Sequence, residues 1–147
     1  MRYLVLATLV LAGCVTQPAP IAHTVSGRPE AVFQKTPEET ATLLAERCLD
    51  RGLIIQEQSP SHLVCGKVMQ GNDAFIAGLA FGTRYGTDPE QRIRFAILRT
   101  PTGTRVQAYQ WVETQNAYGQ TSRHEINNQR AFNDTQQTLF ALGGELP

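Results

Sequence analysis

Residues 36–69 decide the fold, and they read TPEETATLLAERCLDRG followed by LIIQEQSPSHLVCGKVM. The stretch opens with Thr36 and, three residues later, Glu39, which is the capping-box pattern of a helix N-terminus. Pro37 suits the first helical position, because an N–H at that point would have no partner within the helix. Gly52 supplies the left-handed position at which helices commonly stop. These signals predict one helix with defined ends.

The predicted helix, from Pro37 to Arg51, carries one apolar stripe. Its apolar residues recur at i, i+3, i+4, i+7 and i+8, namely Ala41, Leu44, Ala45, Cys48 and Leu49. This spacing places them on one face of an α-helix. The helix is therefore expected to pack that face against a sheet.

The segments beyond this helix predict paired strands. Residues 53–57 and 62–69 flank a Ser-Pro-Ser turn and form a first hairpin. Further on, the alternation around Ile93, Phe95 and Ile97 is typical of a half-buried strand. After the turn at 101–103, residues 104–114 are its natural hairpin partner.

Two weaker patterns complete the fold. Residues 31–34 predict a short first strand, and residues 125–142 predict a C-terminal helix with a thin stripe of Phe132, Leu139 and Leu142. Helices that are segregated from antiparallel hairpins indicate an α+β, two-layer domain with two helices packed on the hairpins. This single domain is expected over residues 30–147, and its layout resembles the helix-grip-like modules of envelope lipoproteins.

The N-terminus has the composition of an export signal. Arg2 precedes an apolar run over 4–12 that is too short to span a bilayer. The run ends in Leu11-Ala12-Gly13-Cys14, which resembles the lipobox of bacterial lipoprotein precursors. The resemblance implies that residues 1–13 are cleaved and that Cys14 carries the lipid. The alternative is an ordinary cleaved signal with a chance cysteine.

A lipidated Cys14 would make the protein a lipid-anchored component of the membrane surface. Residues 14–29 are rich in Pro and Ala and predict a flexible tether. Val15 follows the cysteine where an Asp would favour inner-membrane retention. By that sorting rule, the resemblance implies the periplasmic face of the outer membrane, with the inner membrane as the alternative.

The two other cysteines form an even pair. In an oxidising compartment Cys48 and Cys65 are expected to form a disulfide, since one lies on the helix stripe and the other on a strand that packs near it. The alternative is a pair of buried free thiols that behave as small apolar side chains.

Composition and motifs argue against several function classes. Without Arg2 the chain has 12 basic and 13 acidic residues and no basic stripe, so no nucleic-acid binding is expected. The chain lacks H-x-x-x-H, C-x-x-C and G-x-S-x-G motifs. Neither a metal nor a cofactor is predicted, and a phosphate cradle at Gly78, Gly82 and Gly86 lacks the required strand–loop–helix context.

Only one grouping of residues keeps a catalytic interpretation open. Glu113, Ser122 and His124 could meet around one loop and would then make the protein a small hydrolase. Ser61 and His62 are neighbours on a strand, so their side chains are expected to point to opposite faces. The prediction is that the protein is not an enzyme.

Residues 74–82 are too apolar for a plain loop, and they include Phe75, Ile76, Leu79 and Phe81. Ala74, Gly78 and Gly82 recur every four residues, a spacing that allows close helix approach. The favoured interpretation is a segment that covers the domain's own core. The other interpretation is a contact surface for a partner or for the membrane.

Tyr109 and Trp111 share one face of their predicted strand, opposite Val106, Ala108 and Val112. Partial burial in the core is the favoured interpretation, and exposure on an open face as a partner contact is the alternative. Taken together, the sequence predicts a non-catalytic lipoprotein that binds another envelope component. The alternatives are a phage- or plasmid-encoded lipoprotein that blocks a receptor or masks the envelope, and the small hydrolase.

Overall fold

The computed structural model describes residues 19–81 and 87–147. Residues 1–18, with the lipobox and Cys14, lie outside the described residues, as do Gly82 and Gly86. In chain order the elements are β1 (Glu30–Phe33), α1 (Pro37–Asp50), β2 (Ile54–Gln58), β3 (His62–Val68), α2 (Gly71–Phe81), β4 (Thr87–Thr100), β5 (Gly103–Gln115), β6 (Thr121–Glu125) and α3 (Gln129–Ala141).

The strands form one six-stranded antiparallel sheet with the order β1-β5-β4-β3-β2. Since β4 occupies one edge of β5, β1 and β6 share the other edge: β1 pairs with its first half and β6 with its second half. The helices α1 and α3 cover one face of this sheet. The protein is an α+β, two-layer domain, as the sequence predicts, with a third helix, α2, in the insert.

The predicted ends of α1 are confirmed. The Thr36 hydroxyl accepts a hydrogen bond from the Glu39 backbone N–H at 3.2 Å, and the Thr36 N–H donates to the Glu39 carboxylate at 2.9 Å. Gly52 has a φ of 70° immediately after the helix. The stripe is buried up to Cys48, whereas Leu49 is 58% exposed, so its predicted burial is wrong. At 100° per residue, Leu49 has rotated to the margin of the stripe.

Cys48 and Cys65 form the predicted disulfide, with Cα atoms 6.3 Å apart. Cys48 is 3% exposed and Cys65 is fully buried. The bond joins α1 to β3 through the centre of the core. The alternative prediction, two buried free thiols, is therefore wrong.

The C-terminal helix begins at Gln129 instead of residue 125, because residues 121–125 form strand β6. The polar sequence of β6, Thr-Ser-Arg-His-Glu, shows no apolar alternation, so the sequence alone does not predict this strand. Strand β6 forms because β1 leaves the second half of one β5 edge free, and β6 pairs there. Asn128 then caps α3 by accepting a hydrogen bond from the Ala131 N–H at 2.9 Å.

A buried amide, and not only the thin apolar stripe, holds α3 on the sheet. Gln136 is fully buried, accepts from the Glu30 backbone N–H and donates to the Glu30 carbonyl, both at 2.9 Å. Leu139 is also fully buried, whereas Phe132 and Leu142 are only half-buried. The side chain of Gln136 thus pairs with the outer edge of β1 as a neighbouring strand would.

Residues 19–29, the described part of the predicted tether, contact the domain. The Asn133 side chain accepts from the Ile21 N–H at 3.1 Å and donates to the Ala19 carbonyl at 2.8 Å. Ala22 is buried. Among residues 19–81 and 87–147, no helix is long and apolar enough to cross a membrane.

Candidate functional site

Strand β5 presents different chemistry on its two faces. Thr104, Val106, Ala108, Val112 and Thr114 are buried on the face that α1 and α3 cover. Tyr109 and Trp111 alternate with these residues and are half-buried on the opposite face, which we call the open face. The favoured interpretation, partial burial in the core, is therefore right about the partial burial and wrong about the core, because both side chains lie on the open face.

A guanidinium group lies over each of these two aromatic rings. Arg28 Cζ lies 4.1 Å from the Tyr109 ring centroid, and Arg28 Nη1 lies 2.7 Å from a Glu125 carboxylate oxygen. Arg123 Cζ lies 5.4 Å from the Trp111 ring centroid. Such cation–π contacts contribute about 0.5–1 kcal/mol at exposed sites, enough to orient the side chains.

Arg94 is another cation of the open face. It is directly opposite Tyr109 in the β4–β5 register and is exposed. In the part of the chain that the structure describes, no carboxylate lies within ion-pair distance of it. A shallow cleft of about 580 Å³ lies here, lined by Arg28, Arg94, Ala96, Tyr109, Gln110, Trp111, Arg123 and Glu125. Three arginines against one glutamate leave this cleft positively charged.

An ion-pair network fixes one end of the cleft. Arg92 Nη2 lies 2.7 Å from Glu90 and 3.0 Å from Glu113, and all three side chains are largely buried. Glu113 also accepts hydrogen bonds from Arg123 Nε at 3.1 Å and from Trp111 Nε1 at 3.4 Å. Glu113 therefore positions the Trp111–Arg123 pair through Oε2, while its Oε1 atom is bonded to Arg92.

This arrangement can bind a ligand that combines a flat or apolar surface with an anionic group. The rings offer faces for stacking, and a guanidinium group binds carboxylate or phosphate through paired N–H donors. Arg94 can do so without first breaking an ion pair.

The proposed Glu113–Ser122–His124 grouping is not assembled. Ser122 and His124 share one face of β6, and His124 is opposite Val112 on the helix-covered side. Glu113 is opposite Arg123 and points to the open face. Alternation along paired strands thus separates the carboxylate from the other two side chains.

The expected separation of Ser61 and His62 is wrong. Residues 59–61 form the hairpin turn, where strand alternation does not hold, and the Ser61 hydroxyl lies 3.3 Å from His62 Nδ1. Ser59 lies closer, at 2.9 Å, and Glu57 lies 3.2 Å from His62 Nε2. Sequence reasoning missed this cluster, although the Ser-Pro-Ser-His turn was its visible signal.

The Ser59–His62–Glu57 cluster closes the turn. The Ser59 hydroxyl also accepts from the backbone N–H groups of Ser61 and His62 and donates to the His62 carbonyl. In hydrolytic triads the serine bonds to Nε2 and the acid to Nδ1, whereas here the two ring nitrogens are exchanged. The geometry is that of a hydrogen-bonded turn.

The apolar insert forms α2, and most of its large side chains are exposed. Phe75, Ile76 and Leu79 are 63%, 62% and 47% exposed. Burial in the domain's own core, the favoured interpretation, is therefore wrong for these three residues. Phe81 differs, because it stacks on His124 with ring centroids 4.0 Å apart.

The predicted contact residues consequently occupy two separate places. Phe81 meets His124 on the helix-covered side of the sheet, whereas Tyr109 and Trp111 lie on the open face. Within the described ranges, no group of three or more His, Cys, Asp or Glu side chains could hold a metal ion. No protein-family model, curated protein or solved structure matches this chain.

Proposed function

We propose that the protein is a lipid-anchored envelope lipoprotein that binds another cell-envelope component without catalysing a reaction. The anchor rests on the lipobox Leu11-Ala12-Gly13-Cys14 directly after the apolar run at 4–12. The Cys48–Cys65 disulfide supports export, because such bonds persist in oxidising compartments such as the periplasm. The outer membrane, with the domain on its periplasmic face, is the proposed location.

The observation that carries the binding function is Arg94, which has no counter-ion among the described residues and lines one cleft with the rings of Tyr109 and Trp111. Aromatic residues and arginine are the side chains most enriched in protein interfaces. The face suits an anionic envelope component, such as an acidic glycan or a carboxylate-bearing peptide, because the cleft carries a positive excess. The exposed residues Phe75, Ile76 and Leu79 of α2 favour a second candidate, a contact through that helix.

Lipidation at Cys14 is tested by metabolic labelling. The protein should incorporate labelled palmitate and partition into the detergent phase, and Cys14→Ser should abolish both. The reason is that the thiol is the group that accepts the lipid, while stable anchoring requires more than one acyl chain. A Cys14→Ser variant that stays labelled and membrane-bound would refute the anchor.

The open face is tested by placing a photo-crosslinking residue at Ala96, which lines the cleft. In intact cells a discrete adduct should form, and Arg94→Glu should reduce it about tenfold or more, because it reverses the charge that meets the partner. The melting temperature should stay within a few degrees of wild type, since Arg94 is exposed.

Two variants serve as controls. Arg99→Glu lies on the same strand but on the other face, 3.6 Å from Glu38 of α1, and should leave the adduct unchanged. Leu79→Asp should also preserve folding, because Leu79 is 47% exposed. If Leu79→Asp abolishes the adduct and Arg94→Glu does not, the contact belongs to α2 and the open-face proposal is wrong.

A further inference from the structure

A second cleft lies on the helix-covered side of the sheet, between α1 and α3. Its volume is about 290 Å³. The floor is apolar and consists of Leu44, Leu53, Ile93, Phe95 and the Cys48–Cys65 disulfide. Of these residues, Leu53 and Ile93 are half-buried, whereas Leu44, Phe95 and both cysteines are buried directly beneath the cleft.

The rim of this cleft is cationic. Arg47, Arg51, Lys67 and Arg92 line it, with Asp134 as the acidic residue. Arg92 is paired with Glu90 and Glu113. Arg51 is already satisfied, since it lies 3.5 Å from Asp134 and donates to Thr138 at 3.0 Å. Arg47 and Lys67 form no ion pair with any residue of the described ranges 19–81 and 87–147.

Arg47 has a further unmet requirement. Its Nε atom is buried and has no hydrogen-bond partner among the residues that the structure describes. The charge of Arg47 also has no carboxylate partner among the described residues, and an anion in the cleft would form charge-assisted hydrogen bonds with its guanidinium group. An apolar floor beside an unpaired guanidinium group is complementary to a molecule with an anionic head and an apolar tail.

We propose that this cleft binds a small anionic amphiphile, with a single carboxylate or phosphate head at Arg47 and Lys67 and a short alkyl chain on the floor. A volume of 290 Å³ is at the lower end for ligand sites and, at about 30 Å³ per water-sized group, holds on the order of ten such groups. The cleft and the open face lie on opposite sides of the sheet, so this site does not depend on the proposed function.

The test is a titration of the ¹⁵N-labelled full-length chain, carrying Cys14→Ser, followed by amide chemical shifts. Octanoate and octyl phosphate supply the two head groups, octylammonium reverses the charge, and acetate lacks the tail. Octanoate or octyl phosphate should give saturable shifts at Leu44, Leu53 and Ile93. Octylammonium and acetate should bind at least tenfold more weakly, because each lacks one half of the recognition.

Variants separate the head-group contact from simple apolar binding. Arg47→Gln and Lys67→Gln should each weaken binding of the preferred anion about tenfold, the effect of losing one charge-assisted contact. Lys67 is exposed, so its replacement keeps the test valid even if Arg47→Gln unfolds the protein. Arg130→Gln, on the exposed surface of α3, should have no effect.

The tighter of the two anions identifies the head group. Equal binding of octylammonium and octanoate would overturn the proposal, as would anion binding that both glutamine variants leave unchanged. Absence of saturable shifts at the floor residues would overturn it as well.

Discussion

Replacing Cys48 and Cys65 together by alanine is expected to lower the free energy of unfolding by about 3 kcal/mol. The disulfide joins residues 17 positions apart and so restricts the unfolded chain. In the folded state it ties α1 to β3 at two buried positions. Urea unfolding of the variant and of wild type, followed by circular dichroism, measures the difference.

The control for this experiment is Leu49→Ala, next to Cys48 on α1. Leu49 is 58% exposed, so its truncation should cost under about 1 kcal/mol. Wild type unfolded in the presence of a reducing agent should behave like the double variant. If the double variant or the reduced protein is as stable as the oxidised protein, the disulfide is not a stabilising element of this fold.

The second large effect is expected at a buried carboxylate. Glu30 is fully buried, and its side chain accepts hydrogen bonds from Arg105 at 2.6 Å, Gln107 at 3.0 Å, Ser26 at 3.0 Å and the Val25 N–H at 3.0 Å. Arg105→Met should lower the stability at pH 7 by about 3 kcal/mol, because removing one partner of a buried ion pair leaves the other charge uncompensated.

The pH dependence of this effect follows from the pKa of Glu30. Burial is the largest single effect and raises that pKa, but the hydrogen bonds from Arg105, Gln107 and Ser26 and the charge of Arg105 together lower it by more, so it lies below the usual value for a glutamate. A pKa that is lower in the folded state stabilises the protein above the unfolded-state pKa, and this stabilisation is lost as the pH falls through the folded-state pKa. The difference in the free energy of unfolding between wild type and Arg105→Met should therefore become smaller as the pH is lowered towards 3.

A second substitution separates charge from packing. Adding Glu30→Gln to Arg105→Met removes the uncompensated charge, so the double variant should recover part of the loss at pH 7. Denaturant titrations at pH 7 and pH 3 measure both comparisons. If wild type and Arg105→Met differ in their free energy of unfolding by the same amount at both pH values, Arg105 acts through packing alone.

The elements that the sequence predicted correctly have local causes. The ends of α1 follow from Thr36, Glu39 and Gly52, whose hydrogen bonds and backbone angles involve only neighbouring residues. The hairpin strands follow from alternation and turn residues in the same way. The disulfide was also predictable, since Cys48 lies on the apolar stripe of α1 and Cys65 lies on a strand that was expected to pack near it.

The errors lie where a segment's environment is formed by distant parts of the chain. The polar strand β6 exists because β1 leaves half of one β5 edge free, and nothing within residues 121–125 encodes that vacancy. The predicted stripe of α3 is thin because part of its contact with the sheet is made by a buried glutamine that bonds to a backbone 106 residues away. Hydrophobic periodicity does not register such a contact.

The candidate binding surfaces also combine features with local causes and features that depend on distant parts of the chain. The sequence alone predicts that Tyr109 and Trp111 share a face of β5, because side chains alternate between the faces of any strand. Only the tertiary structure decided that, within residues 19–81 and 87–147, no helix covers that face and Arg94 has no counter-ion there. It also decided that α1 and α3 leave a cleft between them. Coverage and charge pairing depend on which distant elements meet, so they appear only once the chain is folded.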